Sequence, residues 1–191
     1  MLDMSSQSRR SPLFERGDDF YATPPVAVEA LLRVEQLPHS IWEPACGDGA
    51  IVNVLRAHGH DVYATDLVER GCPDSYPEID FLMESKCPCE AIVTNPPFKL
   101  AEEFLERSLE LCPRVVFLLR LAFLESERRS YLLDQGWLAR VWVFRKRLPM
   151  MNRAGWEGRK ANSGMCFAWF VFDRSKKQDA IVRRLSWERD G

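Results

Sequence analysis

The chain has 191 residues, of which 46% are hydrophobic and 28% charged, and its formal net charge is −2. This is the composition of a globular protein that can bury one sizeable core, and such a net charge by itself says nothing about a nucleic-acid partner. No apolar run is long enough to span a bilayer, and no apolar stretch follows the two arginines near the N-terminus. We therefore expect no membrane span, no secretory signal and a cytoplasmic location.

The first half of the chain alternates between helical and extended patterns. Residues 1–18 are polar without periodicity and predict a flexible arm, after which a helix begins at Pro24-Pro25 and ends at 38–40. A short strand at 41–42 runs through a glycine-containing turn into a helix over 51–57. The next strand, 61–66, ends in an acid, Asp66.

The second half continues this alternation and then changes. Buried strands are predicted at 91–94 and 115–119, with an amphipathic helix over 99–111 between them and another helix over 125–135. The strand-like runs 140–144 and 167–172 are joined by a long basic segment with no helical pattern, which predicts an antiparallel pair. The chain is thus an α/β protein with a mostly parallel open sheet, whose ligand should lie at the carboxyl ends of the strands.

Charge is unevenly distributed along the chain. Residues 1–90 carry 7 basic and 16 acidic side chains, whereas residues 138–177 carry 10 basic and 2 acidic ones. Such asymmetry is typical of a protein that binds a polyanion on one face, with a merely solvated basic surface as the alternative. Six cysteines at irregular spacings fit reduced thiols, and because no second pair follows Cys87 and Cys89 we predict no metal.

A glycine turn connects the strand at 41–42 with the helix that follows it. The sequence there is EPACGDG at 43–49, which lacks the third glycine of the dinucleotide fingerprint and the Gly-Lys-Ser/Thr of a phosphate-binding loop. With Asp66 at the end of the next strand, it resembles the first motif of class I S-adenosylmethionine-dependent methyltransferases. The resemblance implies S-adenosylmethionine as cofactor, with Asp66 on the ribose and Asp80 and Phe81 flanking the adenine. The implied cofactor contacts in and after the turn are Glu43, Ala45, Cys46, Gly47, Asp48, Gly49, Asp66, Leu67, Asp80, Phe81 and Asn95.

The tetrapeptide Asn95-Pro96-Pro97-Phe98 follows a predicted strand directly. It resembles the motif of enzymes that methylate planar amino nitrogens, whose lone pair is delocalised and poorly nucleophilic. The Asn95 side-chain oxygen and the Pro96 carbonyl can accept hydrogen bonds from the two amine hydrogens and so orient the nitrogen for attack. Phe98 offers a face on which an extruded base can stack. We therefore predict Asn95, Pro96 and Phe98 as catalytic residues; the alternative is a proline-rich turn with Phe98 in the core.

The segment DFYATPP at 19–25 is similar to the FYxTP segment of small phage- or prophage-type adenine-specific DNA methyltransferases. That resemblance makes Tyr21 and Thr23 candidate cofactor contacts, although Tyr21 could instead be a hydrophobic staple and Pro24 a helix starter. It also implies a Rossmann-like, seven-stranded sheet with an antiparallel C-terminal strand and helices on both faces. The expected domain is 19–175, with a basic substrate loop at 145–166 and a charged tail at 176–191.

The resemblance leads to methyl transfer onto N6 of adenine in DNA, with little sequence specificity because no separate target-recognition domain is evident. The predicted substrate contacts are Lys99, Arg120, Arg153, Trp156, Arg159 and Lys160. Adenine in structured RNA remains an alternative substrate, and a glutamine side-chain amide of a protein is a second. A non-catalytic cofactor-binding or nucleic-acid-binding module is a third possibility, against which the intact glycine turn, Asp66 and Asn95 argue. The oligomeric state is not predicted.

Overall fold

The computed structural model describes residues 22–149 and 165–188, which are built around one sheet. Within these ranges the strands are β1 Ser40–Glu43, β2 Asp61–Ala64, β3 Ala91–Thr94, β4 Arg114–Arg120, β5 Leu138–Phe144, β6 Phe167–Asp173 and β7 Ile181–Leu185. The helices described are α1 Pro25–Leu32, α2 Ala50–Ala57, α3 Ala101–Leu111 and α4 Ser130–Leu133. The predicted arm at 1–18 lies outside the described residues.

The sheet has the order β2-β1-β3-β4-β6-β5-β7. Neighbours pair in parallel from β2 to β4 and again between β5 and β7, whereas β6 runs antiparallel to both β4 and β5. This confirms a seven-stranded, mostly parallel sheet for the described part of the chain. The antiparallel strand is β6, and one further parallel strand, β7, follows it at the edge.

Helices cover both faces of the sheet, as expected. On one face, α1 and α2 pack on side chains that include Ile41, Val93 and Trp169. On the other face, α3 and α4 pack on a second set that includes Ile92 and Phe117. All side chains of β3 are buried, which is why its sequence is a continuous apolar run without alternation.

Two predicted elements need correction. Ile181–Leu185 belongs to the predicted charged tail but forms β7, which pairs with β5 in parallel. Four of its five residues are exposed, so no apolar pattern marks the strand in the sequence. The predicted helix over 125–135 shrinks to α4, preceded by a 3-10 turn at Glu127–Arg129, because little except Leu132 is buried there to stabilise a longer helix.

The chain reverses its direction of travel across the sheet after β1. The next strand, β2, lies on one side of β1 and the following strand, β3, on the other, with α2 and α3 on opposite faces. The carboxyl ends of β1 and β3 therefore flank a topological switch point, where open α/β sheets leave a crevice. The motifs found in the sequence follow these two strands and β2.

Candidate active site

A cavity of about 550 Å³ opens at the carboxyl ends of β1, β2 and β3. This volume lies in the range of sites that hold small molecules and cofactors. The predicted site residues that line it are Thr23, Ala45, Cys46, Asp48, Asp66, Leu67, Asp80, Phe81, Asn95, Pro96, Phe98 and Lys99. Sequence reasoning missed the apolar wall made by Ile51, Val68, Ile79, Leu82 and Leu100, because these residues come from one helix and several separate turns and share no motif.

The glycine turn after β1 depends on two backbone conformations that favour glycine. Gly47 has φ +56° and Gly49 has φ +87°. A Cβ added at Gly49 would also stand 3.0 Å from Cys72 Sγ. Neither glycine lines the cavity, so both shape the turn while Ala45 and Cys46 face the space. Burial raises the pKa of the Cys46 thiol, which keeps it protonated and a poor nucleophile.

A hydrogen bond from Gly47 to Asp66 connects this turn to the residues that follow β2. Its Oδ2 accepts a hydrogen bond from the Gly47 N–H at 2.8 Å, and its Oδ1 accepts one from the Val68 N–H at 2.9 Å. The carboxylate therefore has a fixed orientation at the cavity wall. Each oxygen keeps a further lone pair, so Asp66 can still accept hydrogen bonds from ligand hydroxyls.

Glu43, the last residue of β1, lies behind the turn and not in the cavity wall. It is fully buried, accepts a hydrogen bond from the Ala45 N–H at 3.1 Å and a second from the Thr94 hydroxyl. Burial raises the pKa of Glu43 to about 8 despite these bonds, and the nearby charge of Asp66 adds to the rise. The structure thus gives Glu43 a positioning role, different from the direct cofactor contact that the resemblance implied. It joins the glycine turn to the residue that precedes Asn95.

The Asn95 side chain is held from the N-terminal side of the domain. Its Nδ2 donates a hydrogen bond to Thr23 Oγ1 at 3.0 Å, and Thr23 is 4% exposed. With the amide nitrogen facing Thr23, the amide oxygen is on the opposite side of the group. The two segments singled out in the sequence, 72 positions apart, therefore meet at one hydrogen bond.

Phe98 lines the cavity and contacts two further side chains. The Arg120 guanidinium carbon lies 4.3 Å from the centroid of the Phe98 ring, a cation–π contact. The Phe167 ring lies 5.7 Å away with a tilt of 38°. Arg120 is the last residue of β4 and does not line the cavity. The predicted contact between Arg120 and the substrate would therefore involve its stack with Phe98.

Asp80 and Phe81 form another part of the cavity wall. Asp80 Oδ1 accepts a hydrogen bond from the Leu82 N–H at 3.0 Å, which caps a 3-10 turn at Phe81–Met83. Phe81 is 2% exposed and packs on Trp42 and Phe104, with centroid distances of 5.1 and 4.9 Å. Most of the Phe81 ring surface therefore packs in the core. Its contact with a cofactor remains a prediction.

Five predicted site residues lie outside the described part of the chain: Tyr21, Arg153, Trp156, Arg159 and Lys160. Among the residues that are described, no three His, Cys, Asp or Glu side chains are grouped in a way that could hold a metal ion. None of the helices in the described ranges is both long enough and apolar enough to cross a bilayer.

Comparison with known proteins gives structural matches and no sequence match. No protein-family model and no curated protein sequence matches the chain. A protein of Pyrococcus horikoshii, provisionally assigned as an RNA methyltransferase, superposes with a TM-score of 0.63 at 14% identity, over 89% of this chain and 91% of that one.

Two further structures are similar. The modification subunit of a provisionally assigned type I restriction enzyme from Vibrio vulnificus has a TM-score of 0.63 at 16% identity, over 89% of this chain and 48% of its own. This chain therefore spans about half of that subunit. A dimethyladenosine transferase from Plasmodium falciparum has a TM-score of 0.54 at 13% identity, over 81% of this chain and 63% of its own.

The chain has the class I methyltransferase fold. This confirms the fold that the sequence resemblance implied. At 13–16% identity the likeness concerns architecture, and the chemistry has to be argued from the side chains of the site.

Proposed function

We propose that this chain transfers a methyl group from S-adenosylmethionine to the exocyclic N6 amine of adenine in DNA. The observation that carries the proposal is the position of Asn95. Its amide lines the same cavity as the glycine turn and Asp66, and Thr23 holds it in place. A side chain that orients an amine and a turn suited to the cofactor thus share one space.

The residues present fit the cofactor. Asp66 is a fixed acceptor at the cavity wall for the ribose hydroxyls, and Ala45 and Cys46 border the space where the methionine part would lie. The apolar wall that includes Ile79 and Leu82 suits the adenine ring. When bound, S-adenosylmethionine supplies an electrophilic methyl group on its sulfonium sulfur.

Asn95 and Pro96 would act on the target amine. Their oxygens accept its two hydrogens, which favours a pyramidal nitrogen and directs its lone pair into the cavity. Phe98 offers the aromatic surface against which an extruded adenine can stack. Since Arg120 covers one face of that ring, the base must use the other face or displace the guanidinium.

The polymer that carries the adenine is argued from charge and resemblance. The basic second half of the chain favours a polyphosphate over a peptide, which speaks against the glutamine-amide alternative. The FYxTP-like segment favours DNA. One structural relative is named as an RNA methyltransferase and another as a restriction-enzyme modification subunit, so both nucleic acids belong in the test.

The test is incubation with methyl-labelled cofactor and DNA, RNA of the same sequence, or a protein mixture, followed by digestion and mass spectrometry. We expect N6-methyladenine from DNA. Label in RNA alone, or on glutamine, would replace the proposed substrate. No transfer to any polymer, together with no cofactor binding by calorimetry, would refute the enzyme.

Asn95→Ala separates chemistry from binding. We expect the rate of transfer to fall about a hundred- to a thousandfold, the usual cost of losing one preorganised group. Cofactor affinity measured by calorimetry should change far less than the rate, because the substitution leaves Asp66 and the glycine turn intact. Near-normal turnover of this variant would mean that the motif is structural here.

A further inference from the structure

Exposed basic side chains gather at the edge of the sheet where the cavity opens. Since β5 and β7 run in the same direction as β4, their carboxyl ends lie at that edge. Arg145, Lys146 and Arg147 come directly after β5, and Arg184 is the penultimate residue of β7; all four are exposed. The Arg145 N–H donates to the Leu185 carbonyl at 2.9 Å, so the two strand ends are in contact.

These side chains form a row that starts at the active site. Three interstrand spacings separate the end of β4, where Arg120 touches Phe98, from the end of β7. At about 4.8 Å per spacing the row is about 14 Å long. One strand of a duplex rises about 3.4 Å per phosphate along the helix axis, so the row spans the axial rise of about four phosphates.

Among the described residues, the surroundings of the cavity favour this row as a path for a polyanion. On the β2 side of the cavity, residues 61–90 carry eight acidic and two basic side chains, which repel phosphate. At the opposite edge of the sheet, Arg114 is paired with Glu35 at 3.0 Å and with Asp173 at 3.4 Å. Within the row, Lys146 is paired with Glu188 at 2.7 Å, which makes Arg145 and Arg184 the more available cations.

We propose that the carboxyl ends of β5 and β7 form a track for the DNA backbone next to the target adenine, with Arg145 and Arg184 contacting phosphates. This inference rests on the proposed function for its choice of DNA. It makes β7, which has no motif in the sequence, part of the substrate-binding face. Contacts of this kind position the nucleic acid without reading its sequence.

The test compares two double variants with the same change in charge. Arg145→Gln/Arg184→Gln removes two cations from the track. Lys176→Gln/Lys177→Gln removes two exposed cations at the opposite edge, next to Gln178, whose N–H bonds to the Gly136 carbonyl before β5. Binding of a fluorescent adenine-containing DNA is measured by anisotropy across a salt series, after thermal melting has shown that each variant folds.

We expect the track variant to weaken binding at least tenfold and to reduce the log–log salt slope by about 2, since each phosphate contact contributes about 0.9. The control variant should change the affinity less than about twofold. Arg145→Lys/Arg184→Lys keeps the charges and should restore most of the binding.

Equal losses in the track and control variants would show a general charge effect and overturn the track. The track would also be overturned if the track variant bound DNA normally, even if it lost the binding of RNA. Wild-type methyl transfer is measured separately on the same DNA. If the wild type transfers methyl groups and the track variant binds DNA normally, the track alone is refuted. If the track variant loses DNA binding but the wild type transfers no methyl group, the proposed chemistry alone is refuted.

Discussion

At the scale of single residues, the site is organised by two neighbouring carboxyl groups in opposite surroundings. Asp66 lies at the cavity wall with its oxygens oriented by the N–H groups of Gly47 and Val68. Glu43 is buried behind the same turn and touches Ala45 and Thr94. The first is placed to meet a ligand and the second to hold the turn and the Asn95 segment together.

Asp66→Ala should weaken S-adenosylmethionine binding. Hydrogen bonds to a charged acceptor contribute about 1.5–3 kcal/mol, so the Kd should rise about 10- to 150-fold by calorimetry. Melting temperature should also fall, because the Gly47 N–H loses its acceptor. Asp74→Asn is the control, because Asp74 is exposed in the following loop and Asn tolerates its left-handed backbone, φ +51°. Unchanged affinity in the Asp66 variant would remove this residue from the cofactor site.

Glu43 should make folding stability fall as pH rises. Its pKa is about 8 in the folded protein against a reference value of 4.5, so between these values the folded state holds a proton that the unfolded state has lost. The stability that this group contributes is fully present below about pH 4.5. It is lost progressively as the pH rises from about 4.5 to about 8, by at most about 1.4 kcal/mol per pH unit.

Glu43→Gln removes that titration while keeping the shape and an acceptor for Ala45 and Thr94. Urea unfolding at pH 6 and pH 8 should show the wild type losing more stability than the variant. A difference between the two proteins that is the same at both pH values would contradict the buried, protonated carboxyl.

At the scale of elements, Glu35 joins the segment after α1 to the centre of the sheet. It is 5% exposed, its Oε2 accepts from Arg114 of β4 at 3.0 Å, and it also accepts from Arg140 and from the Trp142 indole of β5, the latter at 2.6 Å. This network crosses the sheet at the edge away from the cavity. It therefore stabilises the scaffold without taking part in the site.

Glu35→Ala should cost about 3–5 kcal/mol of unfolding free energy, because it leaves the partly buried Arg140 guanidinium and the Trp142 indole without this acceptor and leaves Arg114 with Asp173 alone. Glu29→Ala is the matched control. Glu29 faces His58 at 3.5 Å in a partly exposed pair, and its loss should cost less than about 1 kcal/mol. Urea denaturation measures both, and similar losses would mean that Glu35 is no more than a surface charge.

Elements were predictable from sequence where burial imposed a pattern. The apolar run 91–94 gave β3 its correct bounds, and the motifs gathered at one edge because parallel strands end together. The edge strand β7 was missed because solvent imposes no pattern on exposed residues. The Thr23–Asn95 hydrogen bond and the Arg120–Phe98 stack join distant positions, and no local pattern encodes such contacts.

At the scale of the whole molecule, the first half of the chain is acidic and residues 138–177 are basic. We expect this asymmetry to make DNA binding strongly dependent on salt concentration. If about four phosphates are neutralised, the log–log slope should be near −3 to −4. Neutralising Arg153, Arg159 and Lys160, which belong to the predicted substrate loop at 145–166, should flatten this slope and weaken binding evenly across sequences. Trp156→Ala should reduce turnover more than binding. Anisotropy with several DNA sequences checks this, and an affinity indifferent to salt would exclude phosphate contacts.

The insertion of β6 between β4 and β5 has a consequence for how such a protein can change. Because β6 is antiparallel to β5, the end of β5 and the start of β6 lie at the same edge of the sheet as the cavity. The residues next to both strand ends are held there by contacts with the domain. Leu148 is 1% exposed, and the Leu121 N–H donates to the Cys166 carbonyl at 2.8 Å. Doubling the length of a connection costs about 0.6 kcal/mol in closure entropy. A longer connection between the two strand ends would therefore leave the sheet nearly as stable, because the cost falls on closing the connection and not on the strand pairs.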